Sequence, residues 1–283
     1  MVSQEQDEQG AITVGLFVRE MGSGPPILCI HGHPGSSDSM AVFGRSLGKH
    51  YRVILPDLRG YGRSPVRSPF TMADHLDDLI GVLDRAGIDQ CVVLGWSLGG
   101  ILAMELALRY PERVIGLVLV ATAARPRGAH PKTRWWELLF TAIAALINQI
   151  APGWRWNIET FGRRSLFKYL IHRQEPTPYR YVAESAIASQ LRTTPYAHQA
   201  LNTAMAQGYN RLPDLHRITQ PCWICAGQYD VHITAASTKE TAEALPNSNW
   251  HEYPDVAHLF PWEIPDQLLS NISHWLGDHY PAE

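Results

Sequence analysis

CVVLGWSLGGILAMELALRY, Cys91 to Tyr110, joins a buried-looking apolar run, a turn of small residues and an apolar segment of helical length without a gap. A short apolar run rich in β-branched residues and closed by glycine reads as a strand. Ile101 to Tyr110, after Gly100 and before Pro111, reads as a helix. Between them Gly95, Ser97 and Gly99 form a G-x-S-x-G pattern. At such a turn the strand and the helix crowd the positions two before and two after the serine, so both must be small. Ser97 is then lifted to the C-terminal edge of a sheet, where the positive end of the next helix favours an anion. A plain glycine-rich strand-to-helix turn would use the same glycines, so the strand, turn and helix setting carries the reading.

The rest of the chain repeats this alternation. Ile12 to Arg19, Ile27 to Ile30, Arg52 to Pro56, Val114 to Val120, Cys222 to Ala226 and Asn249 to Tyr253 read as further strands, with helical segments between most of them. Met72 to Ala86, for example, carries Leu76, Leu79, Ile80 and Leu83 at three- and four-residue spacing, with Thr71 as N-cap and Gly87 as stop. The expected class is α/β, with a mainly parallel central sheet flanked by helices. From Ala123 to Asn210 the strand rhythm disappears and the sequence turns helical, tryptophan-rich and basic. The chain therefore divides into a core of residues 1–122 and 211–283 and a helical insertion of residues 123–210. From 123 to 217, thirteen lysines and arginines stand against five acids, although the whole chain carries −3. Such asymmetry gives the two parts different tasks, or sets them against each other.

At 283 residues, 45% hydrophobic and 18% charged, the chain can bury a large core, which excludes the disordered class. A net charge of −3 asks for no nucleic-acid partner. Cys29, Cys91, Cys222 and Cys225 lie in apolar segments. The CWIC spacing invites a redox or metal reading, but residues i and i+3 of a strand face opposite sides, so buried free thiols in a reducing compartment are expected. The polar, acidic start MVSQEQDEQGA reads as no signal peptide, so a cytoplasmic protein is expected; Asn271-Ile272-Ser273 is read as a chance glycosylation match in a helical segment.

Five motifs arrive in one order: HG after Ile30, PDLRGYGRS at Pro56 to Ser64, GWSLGG at Gly95 to Gly100, GQYD at Gly227 to Asp230 and DVAH at Asp255 to His258. In that order they resemble the α/β hydrolase superfamily over nearly the whole chain, and the insertion after Val120 is similar to that family's cap domain. The resemblance implies a catalytic triad in the order Ser, acid, His. A serine hydroxyl is a weak nucleophile until a base takes its proton, and the base needs a carboxylate to hold its tautomer. His258 fits as base because it follows the last strand in a loop ahead of the helix near Pro265. His251 falls inside a strand, His274 and His279 in the last helix, and His232 just past the candidate acid. Asp230 ends the strand CWICAGQY and fits as the acid; its other reading is a turn or N-cap aspartate ahead of Thr234 to Leu245. The preceding strand ends in ATAA and offers no acid, and Asp255 would need a tight local fold to serve. Asp57 reads as fixing its loop by pairing with Arg59 or Arg63. The resemblance also assigns the oxyanion donors to the backbone N–H groups of His33 and Leu98.

ILCIHGHPGSSDSM, Ile27 to Met40, raises a separate question, because His31 and His33 are spaced like metal ligands. A metal would need further ligands, yet positions 35 and 36 are Gly and Ser and no matching later positions exist. No metal or cofactor is expected. His31 is expected to pack or hydrogen-bond under the loop, and His33 to turn its imidazole toward the pocket mouth. Pro34 gives an HGxP loop like those of the epoxide hydrolase, haloalkane dehalogenase and cofactor-free haloperoxidase branches. The first two use an aspartate nucleophile where this chain has Ser97. GWSLGG itself resembles small carboxylesterases, so the subfamily stays open.

The expected activity is hydrolysis of a carboxylic ester or related acyl compound, with a small, apolar acyl substrate. Perhydrolase or haloperoxidase chemistry, C–C bond hydrolysis, thioester cleavage and aminopeptidase action use the same triad, and a non-catalytic ligand-binding member of the fold is the alternative of another class. In the insertion, WWELLFTAIAALINQIAPGWRW, Trp135 to Trp156, sets an apolar helix between tryptophan pairs. Glu137, Asn148 and Gln149 shorten its apolar core below the ~20 residues a membrane span needs. A cap helix over the active site is expected, with peripheral contact to lipid or to a second subunit as the alternative. The oligomeric state is open.

Overall fold

A computed structural model describes residues 15–281. Seven strands form one sheet: β1 (Val18–Met21), β2 (Pro26–Ile30), β3 (Arg52–Pro56), β4 (Cys91–Trp96), β5 (Val114–Val120), β6 (Cys222–Gly227) and β7 (Ser248–Tyr253). Their order is β1-β3-β2-β4-β5-β6-β7, with only β1 antiparallel to its neighbour. A parallel sheet needs helical crossovers, which cover both faces, so its inner strands β2 to β6 are mainly apolar, whereas the edge strands β1 and β7 carry polar residues. The side chains show it. Ile27, Cys29, Val53, Leu55, Val92 and Leu94 join the core on one face, and Leu28, Ile30, Ile54, Cys91 and Val93 the core on the other. Cys222 and Cys225 fall on opposite faces too, so the CWIC thiols do not face each other, and all four cysteines are free and buried. Burial pushes the Cys91 and Cys222 thiols up to about 12.

The core helices follow the sequence pattern. They are α1 (Ala41–Leu47), α2 (Met72–Arg85) and α3 (Leu98–Arg109) in the first part, and α9 (Ala235–Ala244), α10 (Phe260–Glu263) and α11 (Pro265–His279) in the last. At the start of α2 both the backbone N–H and the hydroxyl of Thr71 donate to Asp74, and Gly87 sits at φ +65° just past its end. Most boundaries shift by one or two residues, and two starts shift by three or more. Helix α3 starts three residues earlier than expected, directly after Ser97, because Gly99 and Gly100 belong to its first turn. The first strand starts at Val18 rather than Ile12: the Phe17 N–H donates to Ser64 Oγ instead of to a strand neighbour. Ile12 to Val14, like the N-terminal stretch read for targeting, lie outside the described residues.

Between β5 and β6 the described chain holds no strand. It forms α4 (Trp135–Ile150), α5 (Arg155–Thr160), α6 (Pro176–Tyr181), a π-helical turn at Val182–Ala186, α7 (Ile187–Arg192) and α8 (Pro195–Ala206), with short 3-10 turns. The two ends of this segment meet, since the Arg211 N–H donates to the Ala124 carbonyl at 2.8 Å. Its helices touch the core at the C-terminal edge of the sheet. The Thr194 N–H donates to Gly60 O, the Leu259 N–H to Leu170 O, and the Ser36 and Ser189 hydroxyls lie 3.1 Å apart. Among the described residues, no helix is long and apolar enough to cross a membrane.

Candidate active site

Ser97 sits between β4 and α3 at φ 55°, ψ −117°, a conformation that strains a residue bearing a Cβ. The neighbouring glycines show what makes that turn possible. A Cβ on Gly95 would lie 2.3 Å from the Gly99 carbonyl, and one on Gly99 would lie 2.0 Å from Ile30 O. Strand β4, helix α3 and the end of β2 therefore meet at backbone distance, and the serine is pushed out where they cross.

The histidine and the acid arrive from the far end of the sheet. His258 follows β7, and its Nε2 lies 3.2 Å from Ser97 Oγ. Its Nδ1 lies 2.6 Å from Asp230 Oδ2. With the proton on Nδ1, the imidazole donates to the carboxylate and Nε2 can accept from the serine hydroxyl. Asp230, just after β6, uses its other oxygen to accept the His232 and Ile233 N–H groups at 2.8 and 3.0 Å. One oxygen of Asp230 thus holds the turn and the other meets His258. Thr234, not Asp230, caps α9. All three side chains are secluded, with residue exposures of 9% for Ser97, 4% for Asp230 and 7% for His258. Asp255, with its backbone at φ 55°, instead offers its carbonyl to Arg173 Nε.

The HGHP loop lies beside the serine. A Cβ on Gly32 would come within 3.1 Å of Ser97 Cβ. Among the described residues neither the His33 nor the Leu98 backbone N–H donates to a protein acceptor, so both are available to a ligand oxygen. The histidines themselves are engaged otherwise. His31 is fully buried, its Nε2 accepts the Leu58 N–H at 3.0 Å, and its Nδ1 meets Gly32 O at 2.7 Å. Both of its nitrogens are used within the loop. His33 does not turn a free imidazole to a pocket mouth. Its Nδ1 lies 2.7 Å from the Tyr61 hydroxyl and its Nε2 3.0 Å from His198 Nδ1 on α8. Burial, then the neighbouring His198 and His31, lower its pKa to about 4, so it is neutral at pH 7. Asp57 pairs with Arg63 at 3.3 Å and accepts the Ser37 N–H at 2.6 Å, whereas Arg59 pairs with Asp78. Burial would raise the Asp57 pKa, but these hydrogen bonds outweigh it and hold the carboxyl below its usual range. Among the described residues no three His, Cys, Asp or Glu side chains converge as a metal site would require.

Two neighbours of His258 were not legible in the sequence. The His232 ring centroid lies 5.2 Å from that of His258. Burial, then His258 beside it, lower the His232 pKa to about 3, so His232 is neutral at pH 7. Glu263 ties the histidine loop to the helical segment: Oε1 accepts the Ala257 N–H at 2.8 Å and Oε2 accepts the Arg173 N–H. Burial raises its pKa to about 7 against these hydrogen bonds. An acid five residues past a histidine carries no signal of its own, because only the tertiary fold brings Arg173 to it.

Open surface pockets of about 710 and 560 Å³ lie between the α4–α5 turn and α6 and where α6 meets the core; Ser97, Asp230 and His258 line neither. The comparisons with known proteins agree with this geometry. A family profile described as alpha/beta hydrolase fold matches residues 25–265. A pimeloyl-[acyl-carrier protein] methyl ester esterase of Nitrosospira multiformis is 38% identical, over 92% of this chain and 97% of that one. The enzyme of that name from Aeromonas salmonicida is 36% identical, over 93% and 100%. Among solved structures, a thermophilic esterase from Thermogutta terrifontis superposes with a TM-score of 0.70 at 26% identity, covering 93% of this chain and 94% of that one. Sheet order, strained turn and profile converge: the chain belongs to the alpha/beta hydrolase fold family.

Proposed function

We propose that Ser97, His258 and Asp230 form a catalytic triad that cleaves a carboxylic ester through an acyl-enzyme. The observation that carries this reading is the hydrogen-bonded line from Asp230 Oδ2 through His258 to Ser97 Oγ, ending beside two unengaged amides. Ser97 Oγ attacks the ester carbonyl as His258 Nε2 takes its proton, and Asp230 stabilises the imidazolium. The His33 and Leu98 N–H groups receive the oxyanion, each worth roughly 10² to 10³ in rate. His258 then protonates the leaving alcohol, and a water molecule, deprotonated by the same nitrogen, releases the acid. This chemistry needs no cofactor.

The division into a core of residues 1–122 and 211–283 and a cap of residues 123–210 belongs to the same proposal, supported by the Ala124–Arg211 closure. The cap lies over the serine, as the His33–His198 contact suggests, and shapes the acyl pocket. The relatives named as methyl ester esterases support an ester of a small alcohol. On p-nitrophenyl esters of graded acyl length, the wild-type chain is expected to turn over, and Ser97→Ala to lose at least about 10³ in kcat. Retained turnover in the variant would contradict the assignment.

A further inference from the structure

Helix α4 turns a second apolar face away from the fold. Its inward face mixes apolar and polar groups: Ala144 is buried in the core beside Glu137 and Asn148, Phe140 packs on Phe161, and the Thr141 hydroxyl accepts the Leu166 N–H. Glu137 accepts from Lys168 Nζ at 2.6 Å and from the Tyr169 hydroxyl at 3.0 Å. Asn148 donates to the Tyr179 carbonyl at 2.6 Å and accepts the Gly153 N–H at 2.9 Å. These bonds hold the helix to its neighbours by polar contacts. The outward face carries Trp135, Leu138, Leu139, Leu146 and Ile150, which recur at three- and four-residue spacing. Trp135 is 72% exposed, Leu146 66% and Ile150 81%. Trp154 and Trp156, half exposed with rings 4.9 Å apart, extend the strip past the helix end. An apolar strip of this length on a surface marks an interaction site.

The rim decides the occupant. Lys132 and Arg134 precede the helix, and Arg155, Arg163 and Arg164 follow it, all exposed. Arg134 lies over the Trp136 ring, and Glu175 pairs with Arg155 at 3.3 Å. A second copy of the chain laid on this face would oppose two basic rims. The middle of the strip offers no hydrogen-bonding side chain to a protein partner. Aliphatic side chains at the centre, tryptophans at both ends and basic groups around them suit the headgroup boundary of a bilayer. We propose that the outer face of α4 docks on an anionic lipid surface, the helix lying along it for about 24 Å.

The test is vesicle flotation of the full chain, with phosphatidylcholine vesicles containing or lacking phosphatidylglycerol. The wild-type chain is expected to float with the anionic vesicles at low salt and to detach several-fold near 1 M salt, where screening shortens to ~3 Å. Leu146→Glu/Ile150→Glu is expected to float about tenfold less, because two exposed apolar side chains that would enter the lipid are exchanged for charges facing anionic headgroups. Its turnover of a soluble ester and its unfolding midpoint should match wild type, since these side chains face away from the fold. No flotation of the wild-type chain, or equal flotation of the variant, would overturn the proposal. So would a wild-type dimer, seen by light scattering, that the variant dissolves while vesicles are ignored. Binding to polyglutamate but not to vesicles would assign the rim to an acidic protein instead.

Discussion

At the scale of single residues, the site depends on groups that never meet a substrate. Glu263 holds the Ala257 N–H, one residue before His258, to the Arg173 N–H. Replacing it leaves two amides short of an acceptor, at about 1–3 kcal/mol each where they are buried. The expected outcome for Glu263→Ala is a kcat lowered by roughly one to two orders of magnitude with KM nearly unchanged, because small misplacements of a base are costly. Glu263→Gln keeps one good acceptor and should fall between the two. Steady-state kinetics on a p-nitrophenyl ester distinguish the three proteins, and equal kcat values would remove the positioning role. That Ser97, Asp230 and His258 would meet could be expected from the resemblance, since each follows a strand-like run and the sheet brings those strand ends to one edge. The roles of Glu263, Tyr61 and His198 could not, because each acts across a contact between segments that the sequence leaves unconnected.

At the scale of elements, the crossing of β4, α3 and β2 sets what the turn tolerates. A Cβ on Gly99 would meet the Ile30 carbonyl at 2.0 Å, and backbone cannot give way as a flexible side chain can. Gly99→Ala is therefore expected to destabilise by about 3 kcal/mol or more, and to lower activity in whatever fraction still folds. Denaturant unfolding measures it, and a loss below about 1 kcal/mol would mean that the crossing relaxes. The same small-residue logic made this element readable from GWSLGG. The early start of α3 escaped, because glycine in a helix interior is disfavoured and its use here is fixed by close approach to Ile30 and Thr122. Helix α4 was legible as a helix, but not in its orientation. Periodicity locates an apolar face without saying whether the core or the solvent receives it.

At the scale of the whole molecule, four secluded histidines make stability depend on pH. Burial lowers the pKa of His31, of His33 to about 4, and of His75 and His232 to about 3 each. The unfolded chain, with histidines near 6.5, then binds more protons than the folded chain below pH 6.5, so stability falls as pH falls through this window. Each histidine contributes up to about 1.4 kcal/mol per pH unit until its folded pKa is reached. Glu263 acts oppositely. Its folded pKa of about 7 means the folded chain holds the extra proton between about 4.5 and 7, a contribution lost as pH rises. Four groups outweigh one, so denaturant midpoints should drop steadily from pH 6.5 to 4, and a flat profile would show that the histidines titrate freely. The fold class was legible across the molecule because every buried strand is an apolar run. The packing of the helices between β5 and β6 was not, since it follows contacts such as His33 to His198. The central claim is that Ser97 is a nucleophile activated by His258, and covalent labelling tests it most directly. A fluorophosphonate should add one phosphonyl group per chain, mapped by mass spectrometry to Ser97, with labelling slowed at least about 10³-fold in His258→Ala. A chain left unlabelled, or labelled at another residue, would contradict it.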